Sequence, residues 1–98
     1  MNYEVKGIHY EVSDTTREHI AKKMKRLSFA SDLVVDCTIS LIREKSGYKV
    51  DANTNFRWGA TSHLSVDCHE LYKGIEILID KLENKIRKEK EKIQDHNK

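Results

Sequence analysis

The chain has 98 residues, 38% of them hydrophobic and 35% charged, with 18 Lys+Arg against 16 Asp+Glu, two Cys and no Pro. That length supports one compact domain and excludes a two-domain enzyme, and no apolar run approaches the ~20 residues of a membrane span or makes an N-terminal signal segment. Two cysteines build no disulfide framework, so a reducing cytoplasm is the expected location; with a net charge of +2, any polyanionic partner has to be argued from where the charge sits.

Residues 2–8 read as a short strand with Tyr3 and Val5 on one face. Ser13 then offers a hydroxyl to cap the free N–H groups of a helix, and Thr15 with Glu18 offers a second capping box. Ile20, Met24 and Leu27 recur at three- and four-residue spacing, the stripe a helix turns toward a core. Lys22, Lys25 and Arg26 fall off that stripe and Lys23 lies at its edge, so the solvent side is basic. Next, Leu33, Val35, Cys37, Ile39 and Leu41 alternate with Val34, Asp36, Thr38 and Ser40, the period-two signature of a strand with one buried face. Lys45-Ser46-Gly47 supplies a turn. Tyr48, Val50, Ala52, Thr54 and Phe56 alternate with polar neighbours, and after Trp58-Gly59 a third alternation turns Ala60, Leu64, Val66 and Cys68 inward. These are three hairpin-linked strands.

From about Glu70 the period becomes helical. Leu71, Ile75, Leu78, Leu82 and Ile86, with Tyr72 and Ile79, make one apolar side. At ~100° per residue, Lys81, Lys85, Lys88 and Lys92 align on one flank of it and Glu76, Asp80 and Glu83 gather on the other. Those acids read as a solvated flank reaching toward Asn84. After Ile86 the apolar signal thins, and a charged end is expected to project past the core or fray. The predicted fold is α+β, a single domain β-α-β-β-β-α with a four-stranded sheet and two helices packed on one face. It spans residues 1–93, with a short charged C-terminal tail at 94–98.

Catalytic chemistry finds no support. There is no phosphate-cradling glycine loop, no Cys-x-x-Cys and no His-Glu-x-x-His. The five histidines are scattered, and Cys37 and Cys68 fall on apolar faces, where buried thiols are the ordinary reading rather than metal ligands or a Cys–His nucleophile beside His69. The chain is expected to be no enzyme and to need no cofactor, metal or small-molecule substrate.

The basic clusters carry the functional signal. Residues 17–26 hold five bases and one acid, and residues 81–92 hold six and three. Four cations within residues 22–26 repel one another, and an anionic partner turns that cost into attraction by releasing its counterions. If both helices pack on one sheet face, the two basic edges border one groove, a shape suited to an RNA backbone. Trp58 at a hairpin tip can stack on a base or plug the sheet edge, and plugging is the favoured reading. Tyr72 is expected to pack, with its hydroxyl at the surface.

These residues resemble a known family, the bacterial ribosome hibernation-promoting factors and ribosome-associated inhibitors, once described as sigma-factor modulation proteins. Lys6-Gly7 followed by Glu11-Val12-Ser13 is similar to the family's opening strand and helix start, and Arg17-Glu18 through Lys23-Met24 and Arg26-Leu27 to its first helix. Glu70-Leu71-Tyr72-Lys73-Gly74-Ile75-Glu76 stands where the family writes Asp-Met-Tyr-x-Ala-Ile-Asp, and Asp80-Lys81-Leu82-Glu83 reproduces its Asp-Lys-Leu-Glu unit. Asn84 stands where family members often have Arg, with Lys85 beside it.

The resemblance implies a fold akin to double-stranded-RNA-binding domains, lodged on the small ribosomal subunit against 16S rRNA and on the 70S ribosome. There it blocks the mRNA and tRNA channel and silences translation in stationary phase or stress. The rRNA contacts it implies fall on Lys23, Arg26, Lys81, Lys88 and Lys92, to which the basic stripes add Lys22, Lys25 and Lys85. No membrane is involved. The chain resembles the short form without a dimerisation domain; whether a helper factor pairs ribosomes stays open. The alternatives are a generic double-stranded-RNA binder and a protein-interaction module using the open sheet face or Ile77 and Ile93.

Overall fold

The computed structural model describes the backbone of residues 1–96 and the side chains of residues 1–92. The order is β1 (Asn2–Ile8), α1 (Asp14–Met24), a 3₁₀ helix (Lys25–Ala30), β2 (Val34–Glu44), β3 (Gly47–Phe56), β4 (Thr61–Cys68) and α2 (Leu71–His96). The predicted element order is therefore present. The 3₁₀ helix is an addition that the periodicity did not reveal, because Leu27 and Ala30 continue the buried stripe of α1 without a break.

The sheet runs β1-β2-β3-β4. β1 pairs parallel with β2, and the two hairpins pair antiparallel. A parallel pair demands a crossover, which α1 and its 3₁₀ extension supply. Ser13 starts that crossover as expected: it is the N-cap of α1, and its hydroxyl accepts from the Thr16 N–H at 3.2 Å. Asp14 in the first turn and Lys22 and Lys23 in the last complement the helix dipole.

One stretch departs from the expected alternation. Val34 is buried at 1% exposure and Val35 lies outside at 49%, the reverse of the simple period-two reading. The ladder between β2 and β3 shifts register between Val34 and Asp36, so a bulge resets the phase and the alternation runs true from Cys37 onward. On β3 and β4 the inward set is the predicted one, with Val50, Ala52, Thr54, Phe56 and Val66 in the core. The opposite face of the sheet carries polar side chains. One row across it is Lys6, Ser40, Asp51 and Ser65, in which the Ser65 hydroxyl donates to Asp51 at 2.8 Å.

Both helices cover the other face. Ile75, Leu78, Ile79, Leu82 and Ile86 of α2 are fully buried with Ile20 and Leu27. Gly74 brings the start of α2 hard against β4, since a Cβ there would stand 2.2 Å from the Cys68 Sγ. The end of α2 continues as helix through His96, past the point where the apolar signal thins. The two residues beyond it lie outside the described residues.

Candidate nucleic-acid interface

On α2, Gly74, Lys81, Lys85, Lys88 and Lys92 fall within roughly 60° of arc. Because Gly74 meets Cys68 of β4, that whole flank overhangs the β4 edge of the sheet. The four lysines thus form one cationic strip, as their spacing predicted. Glu89 sits within it at 9% exposure, pairing with Lys85 at 3.2 Å and Lys92 at 3.6 Å. Lys81 and Lys88 have no carboxylate partner among the described residues and carry the strip's uncompensated charge.

The basic residues of α1 do not face that strip. The helices run side by side in the same direction, and their contacts form a ladder. The Thr16 and Tyr72 hydroxyls are 3.3 Å apart, and the His19 ring stacks on the Tyr72 ring at 4.4 Å. Lys23 reaches Glu76 at 3.4 Å. The Arg26 guanidinium donates to Asp80 at 2.7 Å and also to Glu83. At the lower end Arg87 donates to Glu83 at 3.0 Å and lies over the Phe29 ring at 4.5 Å.

The acidic flank of α2 is therefore the seam with α1: Glu76 and Asp80 stay exposed, as expected, but their partners are Lys23 and Arg26 and not Asn84. The expected groove between two lysine edges is not formed: a row of interhelical ion pairs separates them. Of the α1 set, Lys23 and Arg26 are engaged in that seam. Lys22 stays exposed at the crest of the helix, and Lys25 turns toward the β1 edge, beside Tyr3 and Met1. Opposite charges drawn from two helices find each other at short range before any external partner does. The complementary charges were in the sequence: Lys23 and Arg26 lie one helical turn apart on α1, as Glu76, Asp80 and Glu83 lie on successive turns of α2.

The seam has an acid-side signature. Hydrogen bonds from Arg26 and then Arg87 hold the Glu83 carboxyl below the ordinary carboxylate value of 4.5, while the bonds to Asp80 and Glu83 raise Arg26. A carboxylate whose folded value is depressed contributes stability that is full above 4.5 and is lost as pH falls through the lowered value. Acid unfolding followed by circular dichroism is expected to show this loss in the chain and a shallower acid slope in Glu83→Gln. An unchanged slope would remove Glu83 from the seam's energetics.

The remaining candidates sort by burial. Cys37 is buried and Cys68 half-buried, and burial is the leading cause that pushes both thiols up, the opposite of a reactive thiolate. No group of three His, Cys, Asp or Glu among the described residues could hold a metal ion. No helix among them is long and apolar enough to cross a membrane. Tyr72 packs as expected, although its hydroxyl points into the α1 contact. Ile77 is exposed on the crest of α2, and the side chain of Ile93, its proposed companion, lies outside the described residues. Further exposed cations lie outside the two basic clusters, among them Lys73 on the crest of α2 and Arg57 at the β3–β4 tip.

Comparison with known proteins agrees with this architecture. A ribosomal subunit interface protein from Coxiella burnetii superposes with a TM-score of 0.83 at 28% identity, covering 92% of this chain and 98% of that one. The N-terminal domain of Protein Y from Thermus thermophilus, at 21% identity, shares the fold with a TM-score of 0.77 over 90% of this chain and 98% of its own. In sequence, the ribosome hibernation promoting factor of Escherichia coli is 28% identical over 96 residues, covering 98% of this chain and all of that protein. That of Pseudomonas putida is 28% identical over 94 residues, covering 96% of this chain and 91% of its own length. The family model described as Sigma 54 modulation protein / S30EA ribosomal protein matches residues 3–94, and with that match the chain belongs to this family.

Proposed function

We propose that this protein is a ribosome hibernation factor that binds the small ribosomal subunit through rRNA and blocks translation by occupying the mRNA and tRNA channel. The relatives named above as hibernation promoting factors support the hibernation role. The observation that carries the mode of binding is the α2 strip of Lys81, Lys85, Lys88 and Lys92, on a helix docked to the sheet by an apolar side that is fully buried from Ile75 to Ile86. A line of ammonium groups on a straight helix matches the spacing of phosphates along an RNA strand and needs no base-edge readout. Lys22 and Lys25 add positive field from the α1 side, and Lys23 and Arg26 act chiefly by holding the helices together. Occlusion requires no bond to be made or broken, so no catalytic group is asked for, and the setting is the cytoplasm, where ribosomes are.

Sucrose-gradient co-sedimentation with 30S and 70S particles, with and without excess duplex RNA, tests this reading. The protein is expected to travel with the particles and to resist competition by duplex. Release by duplex at equal nucleotide concentration would favour a generic double-stranded-RNA binder. Failure to travel with either particle at ~0.1 M salt would overturn the proposal.

A further inference from the structure

The β3–β4 tip carries the chain's single tryptophan in a setting that plugging the sheet edge does not account for. Trp58 stacks on Phe56 with ring centroids 4.9 Å apart and an interplanar angle of 23°. Phe56 is itself a core residue, so the indole rests on a fixed base, yet Trp58 remains 41% exposed. Three backbone hydrogen bonds pin the tip: Arg57 N–H to the Leu33 carbonyl, Phe56 N–H to that of Ala60, and Gly59 N–H to that of Phe56. Gly59 takes φ +90°, with nothing near the place a Cβ would fill, which allows the tight return. A large aromatic ring is thereby held partly open without a mobile loop beneath it, while the exposed Arg57 side chain lies toward the start of β2, beside Val34 and Val35.

The tip also lies at the end of the molecule toward which the lysine strip runs. Two residues connect β4 to α2, and α2 packs along β3 and β4, so the helix doubles back along β4. Eight residues of strand cover ~26 Å, while the 26 residues of α2 cover ~39 Å. The helix therefore draws level with the first residue of β4 near Lys88 and carries Lys92 beyond it, at the end where the tip is.

We propose that Trp58, seated on Phe56, is a stacking site for an unpaired base of the RNA strand whose phosphates lie along the α2 lysines. A base stacks on the exposed part of the indole as Phe56 does from the core side, with the α2 lysines answering the adjoining phosphates. The site rests on the ribosomal reading and adds to it a preference for unpaired nucleotides at one end of the contact.

With one tryptophan, intrinsic emission reports this site alone. Titration with a roughly ten-nucleotide oligoadenylate at low salt is expected to quench that emission, as stacking on a base does. Trp58→Ala is expected to weaken subunit binding about tenfold or more, and Trp58→Phe to recover most of it, with both variants keeping the wild-type circular dichroism at the temperature of the binding assay. Undiminished binding of Trp58→Ala to subunits overturns the stacking site while leaving the ribosomal reading intact. So does a blue shift without quenching, the sign of burial against an apolar protein surface. If the wild-type chain does not travel with subunits, the ribosomal reading falls, and the oligoadenylate titration decides the stacking site by itself: quenching keeps it, and no change removes it.

Discussion

Replacing Lys81, Lys85 and Lys88 by Glu is expected to lower affinity for the small subunit by about two to three decades at ~0.1 M salt and to flatten its salt dependence. Each phosphate neutralised by a lysine releases a condensed counterion, contributing close to one decade of affinity at that salt and nearly one unit to the log–log salt slope. Three lysines on one helical flank therefore account for almost three units of slope. Reversal of charge adds repulsion to that loss.

The same triple variant has a modest folding cost. Lys81 and Lys88 have no partner to lose among the described residues, and Lys85 exchanges one ion pair with Glu89 for like-charge pairs at i,i±4, each costing some tenths of a kcal/mol. Filter binding across a salt series, beside thermal melts of both proteins, checks the two halves of this expectation. Equal slopes for wild type and variant would take the α2 strip off the RNA. By contrast, Lys22→Glu with Lys25→Glu should cost less, because these two lysines diverge, one on the helix crest and one toward β1, and cannot follow a single strand of phosphates together.

That contrast shows where sequence periodicity stops. The faces of each element were legible: every residue named for the apolar side of α2 from Ile75 to Ile86 is in the core, because a 3.6-residue period fixes a face on its own helix. The alternation of β3 and β4 was equally plain, since one register satisfies both hairpins. Periodicity is silent on which flank of one helix meets another. The choice was made by charge, Lys23 and Arg26 against Glu76, Asp80 and Glu83, and by ring stacking of His19 on Tyr72. Two positively charged edges that looked like walls of one groove are in fact separated by their own counter-charges.

The bulge at Val35 was hidden for a related reason. Val34 and Val35 are chemically the same, so the sequence holds no signal for which of them turns inward until the β3 partner is known. Trp58 is the third case. Its residue type favoured a plug over a platform, and only its stacking on Phe56 together with its 41% exposure speaks for the platform.

The lysine strip works only if α2 is docked, and Leu82 tests that dependence. Leu82 has no exposure, and Ile77, five residues earlier on the same helix, is 40% exposed. Truncating a fully buried Leu removes its transfer energy and leaves a cavity, at a cost of about 2–5 kcal/mol. Against the total of roughly 5–15 kcal/mol available to a domain of this size, Leu82→Ala should lower the melting temperature by roughly 15 °C. Ile77→Ala should change stability by less than about 0.5 kcal/mol.

The charges of the strip are untouched in Leu82→Ala, so its folded fraction should bind RNA with the wild-type salt slope, its apparent affinity falling only as the unfolded fraction grows on warming. A changed slope in the cold, where the variant is folded, would mean that α2 has shifted its lysines and not merely lost stability. Ile77→Ala carries the complementary information: it removes the exposed apolar residue of the crest, so a loss of partner binding without loss of stability would move the interface from the lysine flank to that crest, and with it the partner from RNA to protein.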